Sequence, residues 1–94
     1  FDEWMELYVV GKVKPRTVQN YIREYERCKS YIGHIKVNQL QPTYIQKMVN
    51  ELFKKGYKRA TVKQSVSVVS QCLEKAVTIR MIFFNPCKGV VLHS

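Results

Sequence analysis

The stretch GYKRATVKQSVSVVSQCLEKAVTIRM, residues 56–81, decides the fold. Val62, Val66, Val69, Leu73, Ala76 and Val77 recur at three- and four-residue spacing, which places them on one face of a helix. Val68, Cys72 and Ile79 fall on a second face. A helix with apolar residues on two sides must pack against more than one neighbour, so it belongs at the centre of a bundle. The pattern runs from about Lys58 to about Met81, and Asn85-Pro86 breaks it because proline cannot continue a helix. The start of this helix raises an electrostatic question. Lys58, Arg59 and Lys63 stand at the end where the helix dipole presents about half a positive charge, and each misplaced cation there costs on the order of 0.3–1 kcal/mol unless an anion offsets it.

Working outward, a third helix is expected from Pro42, with Ile45, Met48, Val49, Leu52 and Phe53 inward and Gly56 as its stop. Before it, a second helix starts near Lys14-Pro15, places Val18, Tyr21, Ile22, Tyr25, Cys28 and Ile32 on one face, and stops at Gly33. A short extended connection through Ile35, Val37 and Leu40 joins the two. The first helix carries Phe1, Trp4, Met5, Tyr8 and Val9 at helical spacing and ends at Gly11. No alternating strand pattern of useful length is present. The expected fold is all-α, a compact four-helix or four-to-five-helix bundle, with one domain over residues 1–86 and an exit segment over 87–94.

The 94 residues suffice for one modest core, and a hydrophobic fraction of 46% supplies it. The chain starts at Phe1 with no initiator Met, which suggests a piece of a longer protein. The formal charge is +9, unevenly spread: residues 1–11 hold Asp2, Glu3 and Glu6 and no Lys or Arg, leaving sixteen positive and four negative charges on the remainder. Such asymmetry points to a polyanion, most often nucleic acid. Cys28, Cys72 and Cys87 are odd in number and lack CxxC spacing, with only His34 and His93 to join them, so neither a disulfide framework nor a zinc site is implied. Cys28 and Cys72 read as core thiols of a reducing cytoplasm. No apolar run approaches the length of a membrane span, and no signal peptide is present.

Two helix starts share a composition. The second opens with Lys12, Lys14, Arg16 and Thr17, the fourth with Lys58, Arg59, Thr61 and Lys63; neither has a good cap or an acid in its first turn. Free backbone N–H groups, a hydroxyl and cations at a helix start make a phosphate site. On the second helix Arg16, Asn20, Arg23 and Arg27 align as a stripe opposite the apolar face, and on the fourth Gln64, Ser67, Gln71 and Lys75 form another. Uncharged donors and acceptors mixed with Arg suit base edges in a major groove; the competing reading of either stripe is an ordinary solvated face. Tyr21, Tyr25 and Trp4 sit at core spacing and read as packing residues, and His34, just past a helix-ending Gly, as a cap or surface residue. No Ser/His/Asp set, carboxylate pair or Gly-rich phosphate loop supports catalysis by this segment.

The opening FDEWMELYV, the run from Lys14 to Gly56, and LEKAVTIRMIFFNP at residues 73–86 resemble the core-binding, SAM-like domain of tyrosine recombinases, the phage-type integrases. Thr17 with Tyr21, Gly33, the Leu40 to Ile45 passage, Thr61, Leu73 with Ala76, and Asn85-Pro86 carry the resemblance, which covers nearly the whole chain. Lys58 departs from it, standing where a small polar cap is expected. The resemblance implies a four-to-five-helix domain lying across one face of DNA at a recombination site. A separate C-terminal catalytic domain would bring the Arg, Lys, His and nucleophilic Tyr, and nothing matching that set follows Pro86.

The expected function is therefore DNA holding without catalysis, with duplex DNA and other recombinase protomers as partners, no membrane, small-molecule substrate, cofactor or metal, and a cytoplasmic setting for a bacterial or phage-encoded protein. Two rivals are a regulatory domain of helix-turn-helix type and a helical protein-interaction module. The Gly33 to Leu40 connector is long for the first, and the fourth helix much longer than a usual recognition helix.

Overall fold

A computed structural model of the chain describes residues 2–10 and 15–92. It contains α1 (Asp2–Val10), α2 (Pro15–Ile32), a 3₁₀ turn (Val37–Gln39), α3 (Pro42–Lys54) and α4 (Arg59–Thr78), and no strand among the described residues. This is the all-α bundle that the apolar spacing predicts. Helices α2 and α4 pack on each other, and α1 and α3 each lodge against both. The result measures 32 × 30 × 20 Å, with a Cα radius of gyration of 12.5 Å.

The core follows from the periodicities. Ile45, Met48, Val49 and Leu52 of α3 interlock with Val62, Val69, Cys72, Leu73 and Ala76 of α4, and Tyr25, Cys28 and Ile32 complete it from α2. Met5 enters from α1, while Trp4 packs at the core edge and donates from its indole Nε1 to the Cys72 carbonyl oxygen at 3.0 Å. That bond satisfies the indole N–H where the ring body is apolar, as buried tryptophans require. Phe1, the side chains of Tyr8 and Val9, and the Gly11 stop lie outside the described residues.

The stop signals explain how the helices end. Gly56 (φ +95) follows α3, with Gly56 N donating to Phe53 O (3.0 Å) and Tyr57 N to Leu52 O (3.3 Å), the paired bonds of a Schellman ending. Helix α4 ends the same way at Arg80 (φ +64), with Arg80 N to Val77 O at 3.0 Å and Met81 N to Ala76 O at 2.9 Å. No glycine announces this second ending, so the pattern over-extends α4 to Met81; the helix stops at Thr78, and Ile79 is exposed rather than part of an apolar face. The connection through Val37 contains a 3₁₀ turn rather than a simple extended path, with Gln39 N donating to Lys36 O at 2.8 Å.

Beyond α4 the chain is anchored by Asn85, which is 2% exposed. Its side-chain amide donates to Ser70 O (3.1 Å), Ser70 Oγ (3.0 Å) and Glu74 Oε1 (2.9 Å), while its Oδ1 accepts from Cys87 N at 2.9 Å. Cys87, Val90 and Leu92 then pack against the core, so residues 87–92 run along the bundle.

Burial pushes the Cys28 and Cys87 thiols up to about 12 from an ordinary 9.0. Their thiolates at about pH 8 are therefore roughly a thousandfold scarcer than those of free thiols, and alkylation of the native chain at both should be correspondingly slow until denaturant is added. Peptide mapping after brief iodoacetamide treatment checks this; rapid native labelling of Cys28 would contradict its place in the core. Because folding favours the neutral thiol, this stabilisation is whole below about pH 9 and is lost as pH climbs towards 12.

Candidate nucleic-acid interface

The contacts between α2 and α4 run antiparallel. Tyr21 Oη donates to Gln71 Oε1 at 2.5 Å, six residues further along α2 Arg27 Nη1 donates to Ser65 Oγ at 3.2 Å, and the Arg27 guanidinium lies 5.7 Å from the centroid of the Tyr57 ring. The start of α2 therefore lies beside the later turns of α4, and the start of α4 beside the end of α2. At 1.5 Å of rise per residue the two helix starts stand roughly 25–30 Å apart along the pair.

This packing brings the polar stripes together. Asn20 neighbours Tyr21, which is bonded to Gln71; Gln64 neighbours Ser65, which is bonded to Arg27. The stripes thus border one seam, with the exposed Arg16, Asn20 and Arg23 on one side and the exposed Gln64, Ser67, Gln71 and Lys75 on the other. Arg23 Nη2 donates to Asn20 Oδ1 at 2.7 Å, which holds that stripe's polar groups in register.

The basic cluster at the start of α4 is exposed. Lys58 is the N-cap residue, in extended conformation (φ −72, ψ 154), with no side-chain cap and no acid in the first turn. Val62 N donates to Lys58 O at 3.0 Å, the first bond of the helix ladder. Arg59 and Lys63 are exposed and Thr61 half-buried. Helix α3 also starts without a side-chain cap, but its first turn is Pro42-Thr43-Tyr44 and carries no cation. Cations on an uncapped start are therefore what distinguishes α4 from α3. Arg59 is not idle, since its Nε donates to Leu92 O at 3.3 Å. At the other end Arg16 is exposed in the first turn of α2, which has no acid there either. Lys12 and Lys14 lie outside the described residues, as does the side chain of Thr17.

Arg27 stands apart from its stripe. It is ion-paired with Glu24, whose Oε2 also accepts from Ser65 Oγ at 3.3 Å; the two charged side chains are 24% and 13% exposed, and Ser65 is fully buried. Spacing along α2 alone puts Arg27 with Arg16 and Arg23, but a serine from another helix draws it into the α2/α4 contact. The signal for this was Ser65 itself, a polar residue at a core position of α4. Arg27→Ala should therefore cost about 1–3 kcal/mol of stability, because Glu24 and Ser65 lose their partner, and leave the salt dependence of any DNA binding unchanged. Arg23→Ala should do the reverse, with stability within about 0.5 kcal/mol and a salt slope reduced by about one unit. Denaturant titrations and binding at several salt concentrations separate the two.

Among the described residues no group of His, Cys, Asp and Glu could hold a metal ion, and no helix is long and apolar enough to cross a membrane. Residues 1–53 match the family model described as phage integrase, N-terminal SAM-like domain, a span that takes in α1, α2, the 3₁₀ turn and most of α3. Comparison with curated proteins and with solved structures found no match.

Proposed function

Since the chain belongs to the family of phage integrase N-terminal SAM-like domains, we propose that it holds duplex DNA at the core site of recombination, while a separate catalytic domain of the same recombinase cuts and rejoins the strands. Residues 1–86 are the binding domain in this reading and 87–94 the path towards the catalytic domain, and other protomers of the recombinase are its further partners.

One observation carries the proposal: two polar stripes meet along the α2/α4 seam, with exposed cations towards either end. The separation of roughly 25–30 Å falls somewhat short of the 34–36 Å of one duplex turn, so both ends can meet phosphates of one DNA face while the seam lies over a groove. Lys14, Arg16, Arg59 and Lys63 are the proposed phosphate contacts, supported by Lys12, Thr17, Lys58 and Thr61. Asn20, Gln64, Ser67 and Gln71 are placed for base edges. Gln71 accepts from Tyr21, which leaves its amide N–H₂ to donate.

Neutralising about five phosphates gives a log–log salt slope of roughly −4 to −5. A titration of residues 1–94 against duplex DNA at several salt concentrations measures it. A slope near zero, or salt-insensitive binding to an acidic protein with no affinity for DNA, would sink the proposal in favour of a protein-interaction module.

A further inference from the structure

We propose that residues 87–92 are an autoinhibitory strap whose seating competes with DNA for Arg59; this rests on the DNA-holding reading above. The strap is fastened at three places. At its root Asn85 Oδ1 accepts from Cys87 N at 2.9 Å. In its middle the Gln46 side chain of α3 bonds both backbone groups of Val91: Gln46 Nε2 donates to Val91 O, and Val91 N donates to Gln46 Oε1, each at 2.9 Å. At its far end Arg59 Nε donates to Leu92 O at 3.3 Å. Val90 and Leu92 lie half-buried beneath these polar ties.

The third tie reaches the proposed phosphate site. Arg59 is the first residue of α4, and a guanidinium grips a phosphate most firmly with two parallel N–H donors. The side-on pair includes the Nε–H that Leu92 O already occupies. A phosphate oxygen and that carbonyl oxygen cannot fill the same place, so DNA taking Arg59 side-on displaces the end of the strap. The fastening at Val91 is the natural point of release, because Gln46 and Val91 meet at the surface and water can replace both bonds. The coupling is reciprocal by thermodynamic necessity: whatever factor the seated strap takes from DNA affinity, bound DNA takes from the seating of the strap.

The test uses residues 1–94 with a duplex of about 20 base pairs and reads two quantities. Hydrogen exchange at the Val91 amide, slowed in the free protein by Gln46 Oε1, should quicken roughly threefold to tenfold on saturation with DNA, while the amides of the α4 interior stay protected. Gln46→Ala, which unfastens the strap without touching a proposed DNA contact, should raise DNA affinity by a similar factor and abolish the DNA-induced change at Val91. Truncation after Lys88 should raise affinity likewise in a second, independent variant. DNA binding with unchanged Val91 exchange, or with no gain in affinity from either variant, overturns the strap and leaves the DNA-holding reading standing. No binding of duplex DNA at all overturns both.

Discussion

If these cations hold phosphates as proposed, replacing Lys58, Arg59 and Lys63 together by alanine should lower affinity for any duplex by about a hundredfold to a thousandfold near 0.1 M salt and flatten the salt slope by roughly three units. Each cation that neutralises a phosphate releases close to one counterion, worth nearly a factor of ten at that salt concentration. All three side chains are exposed at an uncapped helix start, so their removal leaves no buried group unpartnered. Stability should change little, and removing cations from the positive end of the α4 dipole favours the free fold slightly. The loss should be the same for cognate and scrambled sequences, because phosphates carry no sequence. Gln64→Ala and Ser67→Ala form the contrasting arm: there the preference for the cognate duplex shrinks, by about 1–3 kcal/mol for a good contact, and the slope holds. If the triple variant and Gln64→Ala give the same pattern at matched salt, the division between phosphate-holding and base-reading residues is wrong.

Leu73→Ala should lower the thermal midpoint by about 10–30 °C. Leu73 is fully buried in α4, a helix that touches each of the other three. Truncating a leucine in such a place costs about 2–5 kcal/mol, the lost transfer energy plus the cavity that a central helix cannot close without shifting its neighbours. A domain this small has roughly 5–14 kcal/mol to lose, and each kcal/mol is worth about 4–8 °C. Thermal melts followed by circular dichroism give the shift, with Leu7→Ala as the control, since Leu7 is 69% exposed and its truncation should move the midpoint very little. A loss at Leu73 no larger than at Leu7 would remove α4 from the centre of the fold.

The helices were legible in the sequence where punctuation and periodicity agreed. Pro42 and Gly56 bound α3, and its inward set is found buried apart from Phe53, which is half-buried. The second face of α4 was visible at Val68 and Cys72, both buried, but Ser65, one turn before Val68, was not: a serine goes fully inside only because its hydroxyl donates to Glu24 and accepts from Arg27, both of α2. That partner is 41 residues away for Glu24, and periodicity along one helix carries no information about it. Ile22 shows the opposite error, since it shares the spacing of the α2 core yet is 47% exposed, lying at the edge where the apolar face turns outward. The basic helix starts and the two stripes were each legible one helix at a time. Their convergence was not, because the antiparallel pairing of α2 with α4 is fixed by cross-helix bonds such as Tyr21 to Gln71. The fate of residues 87–92 was hidden for the same reason. It depends on Gln46 of α3, a residue that in sequence looks like any solvated glutamine.

The antiparallel pairing also constrains how such a domain can change length. Two ends set by stacked turns of helix, with no loop between them along α4, behave as a fixed gauge. Inserting one residue into α4 between Ser65 and Gln71 would turn everything beyond it by about 100° and swing Gln71 away from Tyr21, so the outward row and the cross-helix bonds would be lost together. Paired insertions of about seven residues in both helices, two turns or roughly 10 Å, restore the facing to within about 20°. Descendants of this fold can therefore lengthen their reach in whole double turns, and the connections at 33–41 and 55–58 lie outside this constraint on the facing of α2 and α4.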